Sequence, residues 1–108
     1  MTVAELQHAL GLTAFCLADG AREVTGGYAG DLLSWVMGRA SQDEAWVTIM
    51  SNPNIVAVAT LTDVSCVILS EGVAPDAGVA ETARQRGINL LGSELATFPL
   101  CTRIAALL

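Results

Sequence analysis

The chain has 108 residues, which is enough for one domain with one hydrophobic core. Its net charge of −6 excludes the basic surface that nucleic-acid binding requires. All of its basic residues are Arg, which excludes a P-loop lysine, a Schiff-base lysine and a lysine general base.

The first predicted element is a short helix with a capping box at Thr2-Val3-Ala4-Glu5 and an end at Gly11. His8 lies on this helix. We expect it at the surface, because no Ser or Cys nucleophile is near it in sequence. Leu12 to Ala18 then predicts a strand, and Arg22 to Tyr28 predicts a more polar strand at the edge of the sheet.

Gly26 and Gly27 end this second predicted strand, and Asp31 is the predicted cap of a helix from Leu32 to Arg39. The glycines either allow a tight turn before the helix or form a backbone nest for an anionic ligand. Their spacing does not match the dinucleotide-binding fingerprint. The helix carries apolar residues on more than one face, so we expect one side against the sheet and another against a partner.

The centre of the chain predicts one βαβ unit. Ala45 to Met50 and Ser65 to Leu69 are nearly continuous apolar runs of strand length, as in parallel strands buried on both faces. Asn52 and Pro53 form a helix-start signal, with Asn52 as the cap and Pro53 at the first helical position. Ile55 to Leu61 is apolar nearly all round, which predicts a helix covered on both sides.

The remaining elements follow the same alternation of strand and helix. Asp76 is the predicted cap of an amphipathic helix from Ala77 to Arg86, and Ile88 to Leu91 predicts a short strand. Phe98-Pro99 leads into a final helix that continues to Leu108. Residues 1–108 therefore predict a single α/β domain of three layers, with a mostly parallel sheet and helices on both faces.

Neither a membrane segment nor a metal site is expected. The longest apolar stretch, Ile55 to Ser70, is short for a bilayer crossing and contains Asp63. The N-terminus does not resemble a secretory signal, so we expect a cytoplasmic protein. Cys16, Cys66 and Cys101 are far apart and lie in apolar runs, which favours buried free thiols over metal ligands.

The candidate ligand site lies where the predicted parallel strands end, because their carboxyl ends share one edge of the sheet. The start of the central helix would direct free N–H groups towards that edge, which favours a small anion or phosphate group. The alternative is that these polar residues only cap helices and that a loop or subunit fills the crevice. The candidate residues are Thr25, Gly26, Gly27, Asp31, Ser51, Asn52, Asn54, Ser70, Glu71 and Ser93.

A second candidate surface is a dimer interface. Apolar residues make up 53% of the chain, so we expect some apolar surface to be covered by another subunit. Trp35 is the predicted anchor. The candidate interface residues are Leu32, Trp35, Val36, Ile104, Leu107 and Leu108.

Several segments spread over the chain together resemble one family, the small stand-alone DRTGG-domain proteins. They are Arg22 to Tyr28, Gly30 to Ser34, Val36-Met37, Asn54 to Ala59, Gly72 with Pro75, Gly87-Ile88 and Thr97-Phe98. The resemblance implies a fold similar to the N-terminal domain of HPr kinase/phosphorylase. It also implies a regulatory role, because such domains occur beside CBS domains and before phosphotransacetylase-type domains. Some small relatives are encoded near iron-hydrogenase genes, which implies an accessory role in a redox system.

The sequence thus favours a non-catalytic regulatory or protein-interaction module, homodimeric and without a cofactor, whose partner is a redox enzyme or another protein. The alternative is a sensor for a nucleotide or another small anion. An enzyme is disfavoured by the absence of lysine and by the single histidine. Glu71 with Glu94 is a conceivable acid–base pair, but two acidic residues on neighbouring loops are more often simply solvated.

Overall fold

A five-stranded sheet forms the centre of the computed structural model, which describes all 108 residues. The strand order is β1-β5-β4-β3-β2. The pairs β2–β3, β3–β4 and β4–β5 are parallel, whereas β1 is antiparallel to β5, so the sheet is mixed. The α/β class predicted from the sequence is confirmed. The strands are β1 (Thr13–Cys16), β2 (Gly26–Ala29), β3 (Glu44–Thr48), β4 (Cys66–Leu69) and β5 (Leu90–Gly92).

Five helices accompany the strands in the predicted order, with ends that differ by a few residues. None of them has both the length and the apolar character that a membrane crossing requires. The helices are α1 (Val3–Leu10), α2 (Leu33–Arg39), α3 (Asn54–Thr62), α4 (Val79–Arg86) and α5 (Thr97–Leu107).

Two core clusters lie on opposite sides of the central strands, because successive strand residues point to opposite faces. Trp46 belongs to a cluster with α2, α3 and α4, whereas Ala45 and Val47 belong to a cluster with α1 and α5. Strands β3 and β4 are buried along almost their whole length, as predicted for strands covered on both faces. The indole N–H of the fully buried Trp46 donates to the carbonyl of Gly30 at 2.9 Å.

The predicted start and end of α1 are confirmed. The Thr2 hydroxyl accepts from the Glu5 N–H at 3.1 Å, and the Glu5 carboxylate accepts from the Thr2 N–H at 2.9 Å. Gly11 ends the helix with φ +61°, a left-handed conformation that glycine adopts without strain.

Two predicted helix caps are wrong. Asp31 does not cap α2, whose N-cap position is Leu32 and has no side-chain cap. Asp76 does not cap α4, which begins after Gly78. Both carboxylates are instead bound to other loops, because a hydroxyl or N–H from a neighbouring strand end lies within reach.

Candidate functional site

The loops that leave β3, β4 and β5 meet at one edge of the sheet, as the sequence predicts, and backbone hydrogen bonds join them. The Ser70 N–H donates to the Thr48 carbonyl at 3.1 Å, and the Ser93 N–H donates to the Leu69 carbonyl at 2.8 Å. The Gly72 N–H in turn donates to the Ser93 carbonyl at 2.9 Å. These bonds bring Ser51, Ser70, Glu71 and Ser93 to what we call the carboxyl edge.

Asp31 belongs to the carboxyl edge, although its role differs from the predicted one. One carboxylate oxygen accepts from the Thr48 hydroxyl at 2.8 Å and from the Ile49 N–H at 2.9 Å. The Thr48 hydroxyl also accepts from the Met50 N–H at 3.1 Å. Asp31 therefore fixes the end of β3 to the loop that follows β2.

The start of α3 is one residue later than predicted. Pro53 occupies the N-cap position, and the Asn52 side-chain oxygen accepts from the Asn54 N–H at 2.9 Å. Asn52 thus satisfies one of the free N–H groups at the helix start. The Ser51 hydroxyl donates to the Asp76 carboxylate at 2.8 Å, which ties this loop to the one after β4.

Glu71 and Ser70 hold the start of α5. The Ser70 and Thr97 hydroxyls are hydrogen bonded at 2.6 Å, and the Glu71 carboxylate accepts from the Thr97 N–H at 2.9 Å. Glu71 adopts φ +62°, which is rare for a residue with a side chain. Thr97 was expected in a loop at this edge but was not among the candidate ligand residues. Its place directly before Phe98-Pro99, a helix-start pattern, is the signal that would have found it.

Gly72 makes a close contact at the carboxyl edge. A Cβ at this position would lie 2.6 Å from a carboxylate oxygen of Glu94, and Gly72 has φ +71°. Ser93 contributes its hydroxyl locally, accepting from the Leu95 N–H at 3.1 Å. Glu94 therefore packs on the glycine, and Glu71 is already bonded to Thr97, so the two carboxylates have separate structural roles.

Three predicted site residues lie elsewhere. Gly26 and Gly27 are inside β2 rather than in a turn, paired with Glu44 and Ala45 at the start of β3. Thr25 precedes them, and its N–H donates to the Asp43 carbonyl at 2.9 Å. In a parallel pair these positions are at the opposite edge from the strand ends, so these three residues do not contribute to the carboxyl edge.

The carboxyl edge is acidic and its polar groups bind mainly to one another. Asp31, Glu71, Asp76 and Glu94 lie in its loops, which contain no Arg. Every buried side-chain polar atom of the chain has a hydrogen-bond partner. The positive end of α3 opposes this negative charge only locally, so a highly charged anion is disfavoured there.

The two cavities of appreciable size are away from the carboxyl edge. One, of about 250 Å³, lies between β2 and α5 and is lined almost entirely by apolar groups, including Gly27, Ala29 and Leu108. The other, of about 210 Å³, lies between β1 and α4 beside Cys16 and Arg84. No group of three or more His, Cys, Asp or Glu side chains is arranged to hold a metal ion.

The predicted interface divides into exposed and buried residues. Val36 and Ile104 are in the core, with 0% and 3% exposure, so their prediction as interface residues is wrong. They point inward because they are the core-facing positions of α2 and α5. Four exposed residues remain, and we call this set with strand β2 the β2 border: Leu32, Trp35, Leu107 and Leu108.

All three cysteines are free thiols. Cys66 is fully buried, and burial raises its pKa to about 12. Burial also raises the pKa of Cys16 and of the half-buried Cys101. Cys16 and Cys66 are buried as predicted, whereas Cys101 is only half-buried, so its prediction as a buried thiol is wrong. A neutral thiol is a poor nucleophile and a poor metal ligand.

A polar cluster at the amino edge of the sheet was missed by the sequence analysis. The Arg22 guanidinium contacts the Asp43 carboxylate at 3.0 Å and the Asp63 carboxylate at 2.8 Å. Both aspartates have positive φ, 67° and 57°. Beside them the buried Asn89 side chain donates to the Asp19 and Ser65 carbonyls, both at 2.9 Å. These contacts hold the segment before β2, and no local sequence signal predicts them.

No protein-family model matches the chain, and the search of curated proteins found no match. Among solved structures, the chain is similar to the CBS and DRTGG domains of the regulatory region of Clostridium perfringens pyrophosphatase, complexed with the activator diadenosine tetraphosphate. The TM-score is 0.67 at 13% identity, over 94% of this chain and 44% of the other. The chain thus spans less than half of that structure. The likeness supports a DRTGG-like fold.

Proposed function

We propose that this protein is a non-catalytic regulatory module, a DRTGG-like domain that acts in the cytoplasm through protein–protein contacts, first with a second copy of itself. The observation that carries the proposal is the β2 border. Trp35 is 55% exposed although it is the largest side chain of α2, and Leu32 is 60% exposed. Large aromatic and aliphatic side chains left exposed are typical of protein-binding surfaces.

The regulatory part of the proposal is supported by the fold. The similar structure is described as part of a regulatory region, and the similarity covers 94% of the present chain. We also propose that the protein has no catalytic residues, because the groups best suited to catalysis are engaged in structural contacts or kept neutral. Glu71 is occupied by the Thr97 N–H, and burial or partial burial leaves the cysteine thiols protonated.

Light scattering and sedimentation at micromolar concentration test self-association. We expect the wild type to be a dimer and Trp35→Asp to shift it towards monomer, because the variant loses the large exposed ring, over which the Arg39 guanidinium lies at 4.0 Å, and puts a carboxylate in its place. Leu61→Asp is the matched control, since Leu61 is 70% exposed on α3, away from the β2 border. A wild-type mass near 11 kDa would contradict the homodimer.

A ligand sensor is the second candidate, favoured because the similar structure was solved with a nucleotide activator. The N–H groups at the start of α3 are the groups that would receive a phosphate. The test is an NMR titration with AMP, ATP, phosphate and diadenosine tetraphosphate. Amide shifts clustered at Ser51 to Asn54 support this candidate, whereas no shift at millimolar concentration would refute it.

A redox enzyme of the iron-hydrogenase type is the protein partner that the family resemblance implies. Interferometry can measure the binding of such a purified enzyme to the wild type and, for comparison, to Trp35→Asp. This measurement tests this part of the proposal. Equal binding of the wild type and the variant would place the contact outside the β2 border, and no binding would refute the redox role.

A further inference from the structure

Strand β2 has a free edge. It pairs only with β3, and the other side of the strand has no neighbour in the sheet. The Gly30 N–H donates to the Val47 carbonyl at 3.1 Å. Backbone groups within a strand alternate in direction, so Tyr28, two residues before Gly30, also faces β3. Gly27 and Ala29 therefore direct their N–H and C=O groups away from the sheet.

This free edge has none of the usual protection against pairing. Natural edge strands carry charges, proline or bulges, or are covered by another segment. The segment from Thr25 to Gly30 has no charged residue and no proline, and β2 stays in register with β3 over all four of its residues. By contrast β1, the strand at the other edge, shifts register between Ala14 and Cys16.

Apolar surface adjoins the free edge on both faces of the sheet. On one face the groove of about 250 Å³ runs between β2 and α5, and Leu108 is one of its lining residues. On the other face α2 lies at the β2 end, since the helices there pack in the order α2, α3, α4, with α4 against β1. The exposed residues of α2, Leu32 and Trp35, thus lie on one face of the sheet. Those of α5, Leu107 and Leu108, lie on the other face, with β2 between the two pairs.

The size of this surface fits a second copy of the chain. Leu32, Trp35, Leu107 and Leu108 are 60%, 55%, 39% and 47% exposed. Together they expose about 400 Å², about half of the ~800 Å² that each partner contributes to a standard interface, before β2 is counted. None of these four side chains is acidic, so their contact does not itself bring carboxylates together.

We propose that two copies pair through the free edges of β2, antiparallel about a two-fold axis at Tyr28, to form one continuous ten-stranded sheet. In this register Gly27 lies opposite the partner's Ala29, and each pair exchanges two backbone hydrogen bonds. The glycine leaves room on the α5 face, where the partner's apolar residues fill the groove. The pairing rests on the homodimer of the proposed function and specifies its geometry.

The test combines a variant with a direct measurement on the wild type. Ala29→Pro removes an outward N–H and no bond to β3, so the fold is expected to persist, with unchanged circular dichroism. We expect Ala29→Pro to be monomeric at micromolar concentration and Ala29→Ser, the matched control with its N–H intact, to remain dimeric. In the wild type, the Gly27 and Ala29 amides should exchange with solvent at least tenfold more slowly in the dimer than after dilution to monomer.

The possible results separate this proposal from the homodimer itself. A dimer in which the Gly27 and Ala29 amides are unprotected, and which Ala29→Pro leaves intact, overturns the edge pairing and keeps the homodimer. If Trp35→Asp is monomeric while Ala29→Pro remains dimeric, the dimer contact is assigned to helices α2 and α5. A monomeric wild type overturns both, and amides that become protected only when another protein is added would assign the edge to that protein. If Ala29→Pro does not fold, the amide exchange of the wild type decides.

Discussion

Replacing Arg22 with alanine leaves two aspartates close together at the amino edge of the sheet. Both carboxylates lie within 3.0 Å of the same guanidinium nitrogen, and the Asp43 and Asp63 side chains are 38% and 53% exposed. Two partly exposed ion pairs contribute about 0.5 kcal/mol each, and removal of the cation leaves like charges no more than about 6 Å apart, which adds about 1 kcal/mol. We expect Arg22→Ala to lower the free energy of unfolding by about 2 kcal/mol.

Urea denaturation followed by circular dichroism measures this loss. Arg84→Ala is the matched control, because it removes the same charge from an exposed pair with Glu81 on α4 and should leave the midpoint unchanged. Asp43→Asn provides the decisive comparison, since Asn accepts the positive φ of this position. It should destabilise the wild type and stabilise Arg22→Ala, where it removes the repulsion from Asp63. An equal effect of Asp43→Asn in both backgrounds would refute the reasoning.

Three further predictions concern other buried or close contacts. Burial raises the pKa of Cys66 to about 12, so the unfolded chain loses this proton at lower pH than the folded protein does, and stability should fall between about pH 9 and pH 12 by up to ~1.4 kcal/mol per pH unit. In pH-dependent urea melts Cys66→Ala should reduce this slope, and Cys16 and Cys101, whose pKa values are also raised, should contribute the remainder. Gly72→Ala should destabilise by about 1–2 kcal/mol, and a Glu94→Ala background should restore part of the loss if the 2.6 Å contact is the cause. Asn89→Leu should lower stability by about 3 kcal/mol in the same melts, because it leaves backbone groups of Asp19 without their partners, and a loss below 1 kcal/mol would contradict that role.

The sequence determined the elements and their order because the signals for them are local. The capping box from Thr2 to Glu5 and the end of α1 at Gly11 are confirmed, since each involves residues within one helical turn. The apolar runs at β3 and β4 correctly predict strands buried on both faces, because burial depends on the side-chain pattern of the strand itself. The meeting of Ser51, Ser70 and Ser93 at one edge also follows from parallel strands.

Tertiary structure decided which partner each polar group takes and which apolar residues remain exposed. Asp31 binds Thr48, 17 residues away, and Arg22 binds Asp63, 41 residues away. From the sequence, a carboxylate that follows a glycine is interpreted as a helix cap. The sequence does not show that the end of a strand many residues away lies within hydrogen-bond distance of that carboxylate. In the same way Val36 and Trp35 are both apolar, but only the angle at which α2 packs on the sheet buries the first and exposes the second. Local chemistry thus set the elements, and the packing of distant segments set the contacts that make up the candidate site.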